Sequence, residues 1–440
     1  MSRPAGPSIV ARVALSAVVA VGVAACGSSG GTTASQSQSH SRSQAPTSGP
    51  AAASVTAKPI TDYAAYLETT PGKADTSKAP IAVGFVNVQG GAQSFPQATV
   101  GAQAAVKMIN EEFRGIDGHP LKLVTCFVAN AEEEGQRCGQ QMANDDSVKV
   151  VNFGALIIGN QAFHATLRGR KPVIEGTSTA PIENTTPNTF VLLGDLPHIM
   201  STYGPFAKQH LKASTAALAY PNAPGAIQQG LSIKTGLQKA GVKVKAVAYP
   251  LQTRDLVGPV TAAGAQTADV VVNSADVPSC VGFAKALQQT GVKKPVIAVP
   301  LCLDGSVAEG LGGDLPLGWY YGVAQTLPQD TGDPGVALYQ RKLKQYGGGD
   351  AGSNIFASVT WMDMLATVKL MNRVGADKLT PETISTAAKA FKGPIVMGPP
   401  SINCGQFADA PNVCNDQGIF YQYKGKGRFE LASGWLKSPQ

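Results

Sequence analysis

The sequence predicts an α/β protein built from two doubly wound, Rossmann-like lobes that are joined by several strand crossings. From residue 81 onward, short apolar runs alternate with amphipathic stretches, which is typical of a parallel sheet covered by helices. The alternation occurs as two successive series, and the second begins after residue 195. The segment that carries both series is too long for one small core and suits two lobes of ordinary size.

The first series begins at residue 81 and alternates buried runs with helical periodicity. Apolar runs predict strands at Ile81–Val88, Leu121–Phe127, Val148–Phe153, Lys171–Glu175 and Thr189–Leu193. Apolar residues spaced three and four apart predict helices at Gln97–Phe113 and Glu132–Asn144.

The second series repeats this pattern and ends in a turn-rich tail. We predict strands at Thr215–Tyr220, Val242–Tyr249, Ala268–Asn273 and Pro295–Val299. We predict helices at His198–Leu211, Gly225–Ala240, Val281–Gln289 and Asn354–Val374, and a further helix that Thr380 caps. Hairpin-like runs follow at Ile419–Tyr423 and Arg428–Leu431.

The N-terminus has the features of a secretory signal. Arg3 and Arg12 precede an apolar run from Val13 to Ala25, and small residues lead to Cys26. The run is shorter than the ~20 apolar residues that a membrane-spanning helix needs. A cysteine directly after small residues resembles a bacterial lipobox, which implies cleavage before Cys26 and a lipid on its side chain. The alternative is an ordinary secretory signal with an incidental cysteine.

Composition and periodicity divide the chain into segments. Residues 1–25 form the predicted signal peptide, and the polar residues 26–58 form a flexible, lipidated tether. Residues 59–80 form an extension that can pack on a neighbouring domain through its large side chains, which are Tyr63, Tyr66 and Leu67. We expect a first lobe of residues 81–194 plus about 325–395 and a second of 195–324 plus about 396–440.

Charge and cysteine content indicate the compartment and exclude one class of partner. The net charge is +7, but charged residues are only 15% of the chain and the basic ones are scattered, so we expect no nucleic-acid partner. Six cysteines besides Cys26 fall into local pairs, and an oxidising compartment favours their pairing. We predict the disulfides Cys126–Cys138, Cys280–Cys302 and Cys404–Cys414. A metal site would need closer cysteine spacing.

The sequence contains no catalytic, metal-binding or cofactor-binding motif that is flanked by the strands and helices such a motif requires. Gly27–Gly31 matches a nucleophile elbow, but it lies in the tether rather than between a strand and a helix. Gly347–Gly352 matches a dinucleotide fingerprint, but it joins two helical segments and reads as a flexible loop. The five histidines show no zinc spacing. We therefore predict no enzyme activity, no metal and no cofactor.

The candidate binding residues follow strands of the first series. Ligands of open α/β sheets bind beyond the carboxyl ends of the strands. Residues 154–161 follow one predicted strand, and residues 176–181, with three hydroxyl side chains, follow the next. Hydroxyl groups beside exposed backbone N–H groups suit a small anion such as a carboxylate. Ordinary turn and cap positions also favour Ser and Thr, so this alternative stays open.

Several stretches together resemble one family of binding proteins. Ile81–Phe85, Gly101-Ala102, Ile109–Glu111 and Gly115–Leu123 match its first strand, its first helix and the turn that follows. Thr179-Ala180-Pro181 matches its Ala-Thr-Ala-Pro segment. The chain thus resembles the extracytoplasmic leucine/isoleucine/valine-binding family, the type I periplasmic solute-binding proteins of ABC importers. The resemblance covers roughly Ile81 to the C-terminus.

The resemblance implies a two-lobed shell that closes on a small polar solute and presents it to a membrane permease. By position, it implies ligand contacts from first-lobe loops at Phe95, Gly159, Asn160, Thr177, Ser178 and Thr179. On the second lobe it implies contacts from Tyr220, Asn222 and Asp276.

This chain departs from the family pattern at three places. Residues 157–160 have fewer hydroxyls than the family's Ser-rich loop, and Pro224 stands where many relatives carry a tyrosine. The acid that neutralises an amino-acid ammonium has no counterpart near Leu301, although Asp276 or Asp304 could replace it. An unpaired ammonium is costly to bury. A carboxylate, an amide or another small polar solute is therefore as admissible as an amino acid.

The leading functional hypothesis is a monomeric, lipid-anchored extracytoplasmic receptor for an ABC-type permease. It would bind one small solute by hinge closure and would not transform it. A receptor that signals to a membrane kinase or chemoreceptor is an alternative within the same fold. An exported hydrolase and a cell-wall structural protein are alternatives from other classes.

Overall fold

The computed structural model describes residues 58–91, 93–251 and 253–439, apart from the side chain of Pro224. The predicted signal peptide, Cys26, the Gly27–Gly31 motif and all of the predicted tether except its last residue lie outside the described residues. No helix of the described ranges has both the length and the apolar character needed to cross a bilayer.

The first lobe contains a five-stranded sheet in which all strands are parallel. Its strands are β1 Ile81–Val88, β2 Leu121–Val128, β3 Val148–Phe153, β4 Val173–Ser178 and β5 Thr189–Asp195. They are ordered β2-β1-β3-β4-β5, so the chain reverses its direction of travel across the sheet after β2. The carboxyl ends of β1, β3 and β4 therefore lie side by side at one edge of the sheet.

Four helices belong to this part of the chain. They are α1 Tyr63–Leu67, α2 Pro96–Glu112, α3 Glu132–Asn144 and α4 Asn160–Leu167. Helix α1 packs into the first-lobe core through its buried side chains, which are Tyr63, Tyr66 and Leu67. Lys369 and Asn372 donate to the carbonyl oxygens of the last two of these residues at 2.5 and 2.8 Å. The extension before residue 81 thus packs on the folded domain, as its large side chains predict.

The second lobe contains a mixed sheet of eight strands, ordered β14-β13-β10-β9-β8-β6-β7 with β15 beside β13. The parallel strands are β6 Thr215–Pro221, β7 Lys243–Tyr249, β8 Val270–Asn273, β9 Val296–Ala298 and β10 Tyr320–Val323. Its antiparallel strands are β13 Gln417–Tyr423, β14 Phe429–Leu431 and β15 Leu436–Lys437. A separate ribbon pairs β11 Lys392–Gly393 with β12 Ile402–Asn403.

Six helices accompany the second sheet, and three more follow in sequence. The six are α5 Leu196–Ser201, α6 Tyr203–Gln209, α7 Pro224–Lys239, α8 Val257–Ala263, α9 Val277–Gln289 and α10 Gly305–Gly310. The other three are α11 Pro334–Gln345, α12 Ile355–Val374 and α13 Pro381–Lys389. The helix predicted at 198–211 is divided into α5 and α6, because Pro205 has no N–H to donate to the carbonyl of Ser201.

Helix α12 returns to the first lobe and fills its core. Asn354 caps its N-terminus, and most of its side chains are buried. Thr360 donates to the carbonyl of Ala98 in α2 at 2.7 Å. A Cβ at Gly101 of α2 would lie 2.3 Å from the carbonyl oxygen of Ala357, so glycine permits this close helix contact. The glycine-rich segment 347–352 lies between α11 and α12 and follows no strand, as predicted.

The chain passes between the two sheets in three segments: after β5, after β10 and before β13. These segments are hydrogen-bonded to one another, for example from Thr326 to Met397 at 2.7 Å and from Cys414 to Val191 at 3.0 Å. Buried Asn415 donates to the carbonyl of Leu193 at 2.9 Å.

The residue bounds of the two lobes stay a prediction. Packing around the crossings indicates where the last of these bounds lies. The first-lobe core includes side chains from beyond residue 395, namely Val396, Met397, Ile402 and Cys414. We therefore propose that the last boundary lies near residue 416 rather than 396.

The three predicted disulfides are present in the structure. Cys126–Cys138 joins β2 to α3, Cys280–Cys302 joins α9 to the turn after β9, and Cys404–Cys414 closes a loop before β13. Each bond therefore joins segments that are close in sequence, and none of the three links one lobe to the other.

Candidate functional site

The loop after β1 places Phe95 beside helix α12. The ring of Phe95 lies 4.6 Å from that of Phe356, and its carbonyl accepts a hydrogen bond from Asn87 at 2.9 Å. Fully buried Asn87 also accepts the N–H of Ala155 at 3.0 Å. One buried amide thus fixes the relative positions of the loops after β1 and β3.

The loop after β3 turns Gly159 toward helix α3 instead of leaving its N–H free. Gly159 has a φ of +82° and donates to Glu132 at 2.9 Å. A Cβ at Gly135 would lie 1.9 Å from the Gly159 carbonyl oxygen, so two glycines allow the loop to contact α3. Ile157, at the tip of this loop, is 39% exposed.

Asn160 connects the two predicted ligand loops of the first lobe. Its buried side chain donates to the Thr179 hydroxyl at 2.9 Å and to Glu183 at 3.0 Å. The Thr179 hydroxyl lies 3.2 Å from the carbonyl oxygen of Leu156. The structure thus brings together Asn160 and Thr179, which the sequence analysis placed in one site.

The amides of the loop after β4 already have an anionic partner within the chain. The Glu183 carboxylate accepts the N–H of Thr179 at 2.6 Å and that of Ala180 at 2.8 Å. The expectation that these N–H groups are free to receive a ligand carboxylate is therefore wrong for this structure. Thr177 is half-buried at the end of β4, and no hydrogen bond joins its hydroxyl to another described residue.

Ser178 begins a hydrogen-bonded chain that ends at the first crossing between the lobes. Its hydroxyl donates to Asn184 at 2.6 Å, and Asn184 donates to Asp195 at 2.9 Å. Asp195 caps α5 and lies 2.6 Å from Nδ1 of His198. Burial opposes protonation of His198 and is the largest single effect. The hydrogen bond to Asp195, together with the negative charges of Asp195, Asp416 and Asp409, outweighs it, so the pKa of His198 is raised above its usual value.

The second-lobe candidates lie at the carboxyl ends of neighbouring strands. Half-buried Tyr220, near the end of β6, packs against Gly230 of α7, where a Cβ would lie 2.5 Å from the ring. Asn222 is exposed, and its N–H donates to the carbonyl of Tyr249 at 2.6 Å. Asp276, after β8, caps α9. The ligand role of all nine predicted residues stays a prediction.

Two further groups lie at this edge of the second lobe. Ser274 belongs to the segment 273–276, which the family resemblance implies lies where the second lobe closes over the ligand, whereas Leu301 was not predicted to contact the ligand. Buried Ser274 donates to Gln229 of α7 at 2.9 Å. Leu301, in the turn after β9, leaves 43% of its surface exposed beside buried Cys302. Asp304, the possible ammonium partner, instead accepts the N–H and hydroxyl of Ser306 at 2.9 and 2.5 Å.

A cluster of buried ionisable side chains lies behind the first-lobe loops. One ligand-type atom each of His164, Glu175 and Glu183 lies within 4.8 Å of the others. Burial raises the pKa of Glu175 strongly, raises that of Glu183 to about 7 and lowers that of His164 to about 4. Burial also raises the pKa of Asp363, which is fully buried in α12. Sequence analysis missed this cluster, although a glutamate in a buried strand was a signal for it.

A cavity of about 730 Å³ lies away from these loops, between α5, α7 and the segment 406–409. None of the nine predicted ligand residues lines it. Its lining includes His198 and Phe407, whose rings lie 4.1 Å apart. The cavity therefore borders the crossing between the lobes rather than the strand ends.

Solved structures show the same fold at low sequence identity. A leucine-binding protein LivK from Thermotoga maritima superposes with a TM-score of 0.63 at 13% identity, covering 81% of this chain and 99% of its own. An ABC transporter substrate-binding protein from Sphaerobacter thermophilus superposes with a TM-score of 0.69 at 15% identity, covering 82% and 99%. A solute-binding protein from R. palustris in complex with 4-hydroxybenzoate has a TM-score of 0.65, 16% identity and coverage of 82% and 98%.

The sequence itself matches a family model over most of its length. No curated protein matches the chain significantly. The model for periplasmic binding proteins matches residues 80–411, which include the first sheet, the five parallel strands of the second sheet and α12. The solved structures, at 13–16% identity, add that the fold is shared. The chain belongs to the periplasmic binding protein family, with the type I fold of two parallel-sheet lobes.

Proposed function

We propose that this chain is a lipid-anchored receptor that binds one small solute between its lobes and delivers it to an ABC-type permease. The observation that carries the proposal is the meeting of Asn160 and Thr179 at the carboxyl ends of β3 and β4 in a protein of this family. In open α/β sheets these strand ends are where ligands bind. Binding by the first lobe followed by contact with the second would supply the free energy of closure.

The surroundings of this site support a solute with a polar end and an apolar body. Ile157 and Leu301 expose apolar side chains at strand ends of the two lobes, and Phe95 adds an aromatic ring. Hydroxyl groups at Thr177 and Thr179 offer partners for the polar end. A branched-chain amino acid, an aromatic carboxylate and an amide all have this shape. The similar proteins that are described as leucine-binding or as complexed with 4-hydroxybenzoate support the same classes.

The ligand is best identified from the protein itself and then tested by a single substitution. Denaturing the purified protein and analysing the released small molecules by mass spectrometry gives candidates, and a thermal-shift panel of amino acids, aromatic carboxylates, amides and sugars gives others. We expect Thr177→Val to weaken binding of the ligand so found about tenfold, since an isosteric change removes one hydrogen bond to the solute.

The control for this experiment is Thr261→Val, an exposed position in α8. Both variants should unfold at nearly the wild-type temperature. Equal affinity of Thr177→Val and wild type in isothermal titration would contradict the assigned site. Failure of every panel compound, together with no released molecule, would contradict the receptor function.

We propose that the lipid is attached to Cys26, as the lipobox resemblance implies. Cells expressing the full chain should retain it in the membrane fraction and incorporate a labelled fatty acid into it. Cys26→Ser should abolish labelling and release the protein from membranes. Unchanged labelling of Cys26→Ser would contradict the anchor while leaving the solute-binding proposal intact.

A further inference from the structure

Three side chains of types that can bind metals converge in the interior of the first lobe. His164 comes from α4, Glu175 from the middle of β4, and Glu183 from the turn that follows β4. Their ligand atoms lie within 4.8 Å of one another, and the residues are 1%, 3% and 1% exposed. These residues belong to three different elements, so only the folded chain brings them together.

The histidine and one glutamate have polar atoms without partners. The two ring nitrogens of His164 have no hydrogen-bond partner among the described residues. Oε1 of Glu175 also has none. The rings of Phe153 and Phe163 lie edge-on to the imidazole at 5.4 and 5.7 Å, so packing fixes its orientation. Buried polar groups are nearly always paired, and exceptions call for a specific explanation such as an ion.

The charges of the cluster match a dication. No ion pair among the described residues involves Glu175 or Glu183. When both glutamates are ionised, as metal ligands are, two carboxylates and a neutral imidazole carry a charge of −2, which a divalent cation balances. A proton shared by the two carboxyl groups would neutralise only one of them and would leave His164 without a partner.

We propose that His164, Glu175 and Glu183 bind one divalent transition-metal ion, zinc in preference, at a structural site beneath the loop after β4. One imidazole and two carboxylates form a donor set that zinc accepts. Tetrahedral zinc bonds of about 2.0–2.2 Å place ligand atoms roughly 3.3–3.6 Å apart, so any pair of ligand atoms near the 4.8 Å limit must approach more closely when the metal binds.

A third acidic group and the ligand loop both adjoin the proposed site. Asp363 has two unpartnered carboxylate oxygens, one of them 3.2 Å from the Cβ position of Gly176, the neighbour of Glu175. Glu183 already accepts the amides of Thr179 and Ala180, so a metal that fixes Glu183 also fixes that loop. The proposal does not depend on which solute the protein binds.

The test uses the full chain, purified without a histidine tag and without chelator. We expect about one equivalent of zinc by elemental mass spectrometry, and a melting temperature that falls by several degrees after chelation and recovers with zinc but not with magnesium. Zinc absorption spectroscopy should show one imidazole nitrogen with oxygen ligands. Glu175→Gln and His164→Leu should each remove the zinc-dependent shift.

Matched controls are Glu133→Gln and His210→Gln, both at exposed positions, which should keep the shift. The proposal is overturned if wild-type protein binds no zinc after reloading. It is also overturned if bound zinc has sulfur or several imidazole ligands, or if Glu175→Gln binds zinc as wild type does. If the variants fail to fold, the zinc stoichiometry of the wild-type protein and its zinc absorption spectrum still test the proposal.

Discussion

At the scale of single residues, Gly135 and Gly159 decide how the loop after β3 is held. The carbonyl of Gly159 lies in the space that a side chain at Gly135 would fill, and Gly159 itself has a left-handed conformation. A left-handed conformation favours glycine because it has no Cβ. The loop is therefore positioned by backbone contact with α3, and the carboxylate of Glu132 receives its N–H.

We expect Gly135→Ala to destabilise the protein by about 1–3 kcal/mol, because the added Cβ would lie 1.9 Å from the Gly159 carbonyl oxygen. The small gain in helix propensity from alanine does not offset this overlap. Urea unfolding of both proteins measures the difference. The matched control is Gly258→Ala in α8, where no atom lies within 4 Å of the new Cβ. Equal stability of Gly135→Ala and wild type would show that α3 and the loop are not in close contact.

At the scale of elements, a chain of polar side chains connects the end of β4 to the start of α5. It runs from Ser178 through Asn184 and Asp195 to His198. Every step joins residues that are buried or half-buried, and Asp195 also caps α5. Because α5 begins at the first crossing between the sheets, this chain connects the predicted ligand loop to the hinge.

We expect the stability of the protein to depend on pH through His198. Its pKa is raised above the unfolded value of 6.5, so its contribution is fully present below pH 6.5 and is lost as pH rises through the folded pKa. The charges that face it come from Asp195, Asp416 and Asp409. A charge-assisted bond of this kind contributes about 1.5–3 kcal/mol.

His198→Gln should remove this pH dependence from urea unfolding curves measured between pH 5.5 and 8.5. The control is His210→Gln, at an exposed position at the end of α6, which should retain the same trend as wild type. The assignment would be contradicted if the stability of His198→Gln fell with rising pH as steeply as that of wild type, or if wild-type stability increased across this range.

At the scale of the whole molecule, closure of the two lobes would place exposed apolar side chains from both lobes in contact with the same solute. Ile157 follows β3 of the first sheet, and Leu301 follows β9 of the second. They are 39% and 43% exposed in the structure. Burial of such side chains against an apolar solute body is favourable in proportion to the area removed from water.

We expect Leu301→Asp to weaken ligand binding about tenfold or more while leaving the unfolding temperature of the empty protein nearly unchanged. The new carboxylate would have to lose water when the lobes close on an apolar solute. Isothermal titration and the change in radius of gyration by solution scattering measure affinity and closure. The matched control is Leu317→Asp, at a position that is 74% exposed before β10. Equal effects of the two variants would contradict a role for Leu301 in the cleft.

The sequence alone was sufficient for much of the fold. The bounds of β1, α3 and β3 agree with the predicted ranges, because continuous apolar runs and helical periodicity are local properties of the chain. The strand β10 and the helices α4 and α8 were not predicted. Only four residues of the chain form β10, and its pairing partners β9 and β13 lie far away in sequence. Local periodicity cannot indicate such a strand.

The sequence by itself determined the alternation of strands and helices, the three local disulfides and the loops that follow β3 and β4. Only the tertiary structure decided what those loops contact. Glu183 accepts amides that were expected to be free, and His164 meets Glu175 although neither showed a metal-binding spacing. Parallel strands bring their ends together only after distant segments pair and pack. The partners of a buried charge are therefore set by the whole fold rather than by neighbouring residues.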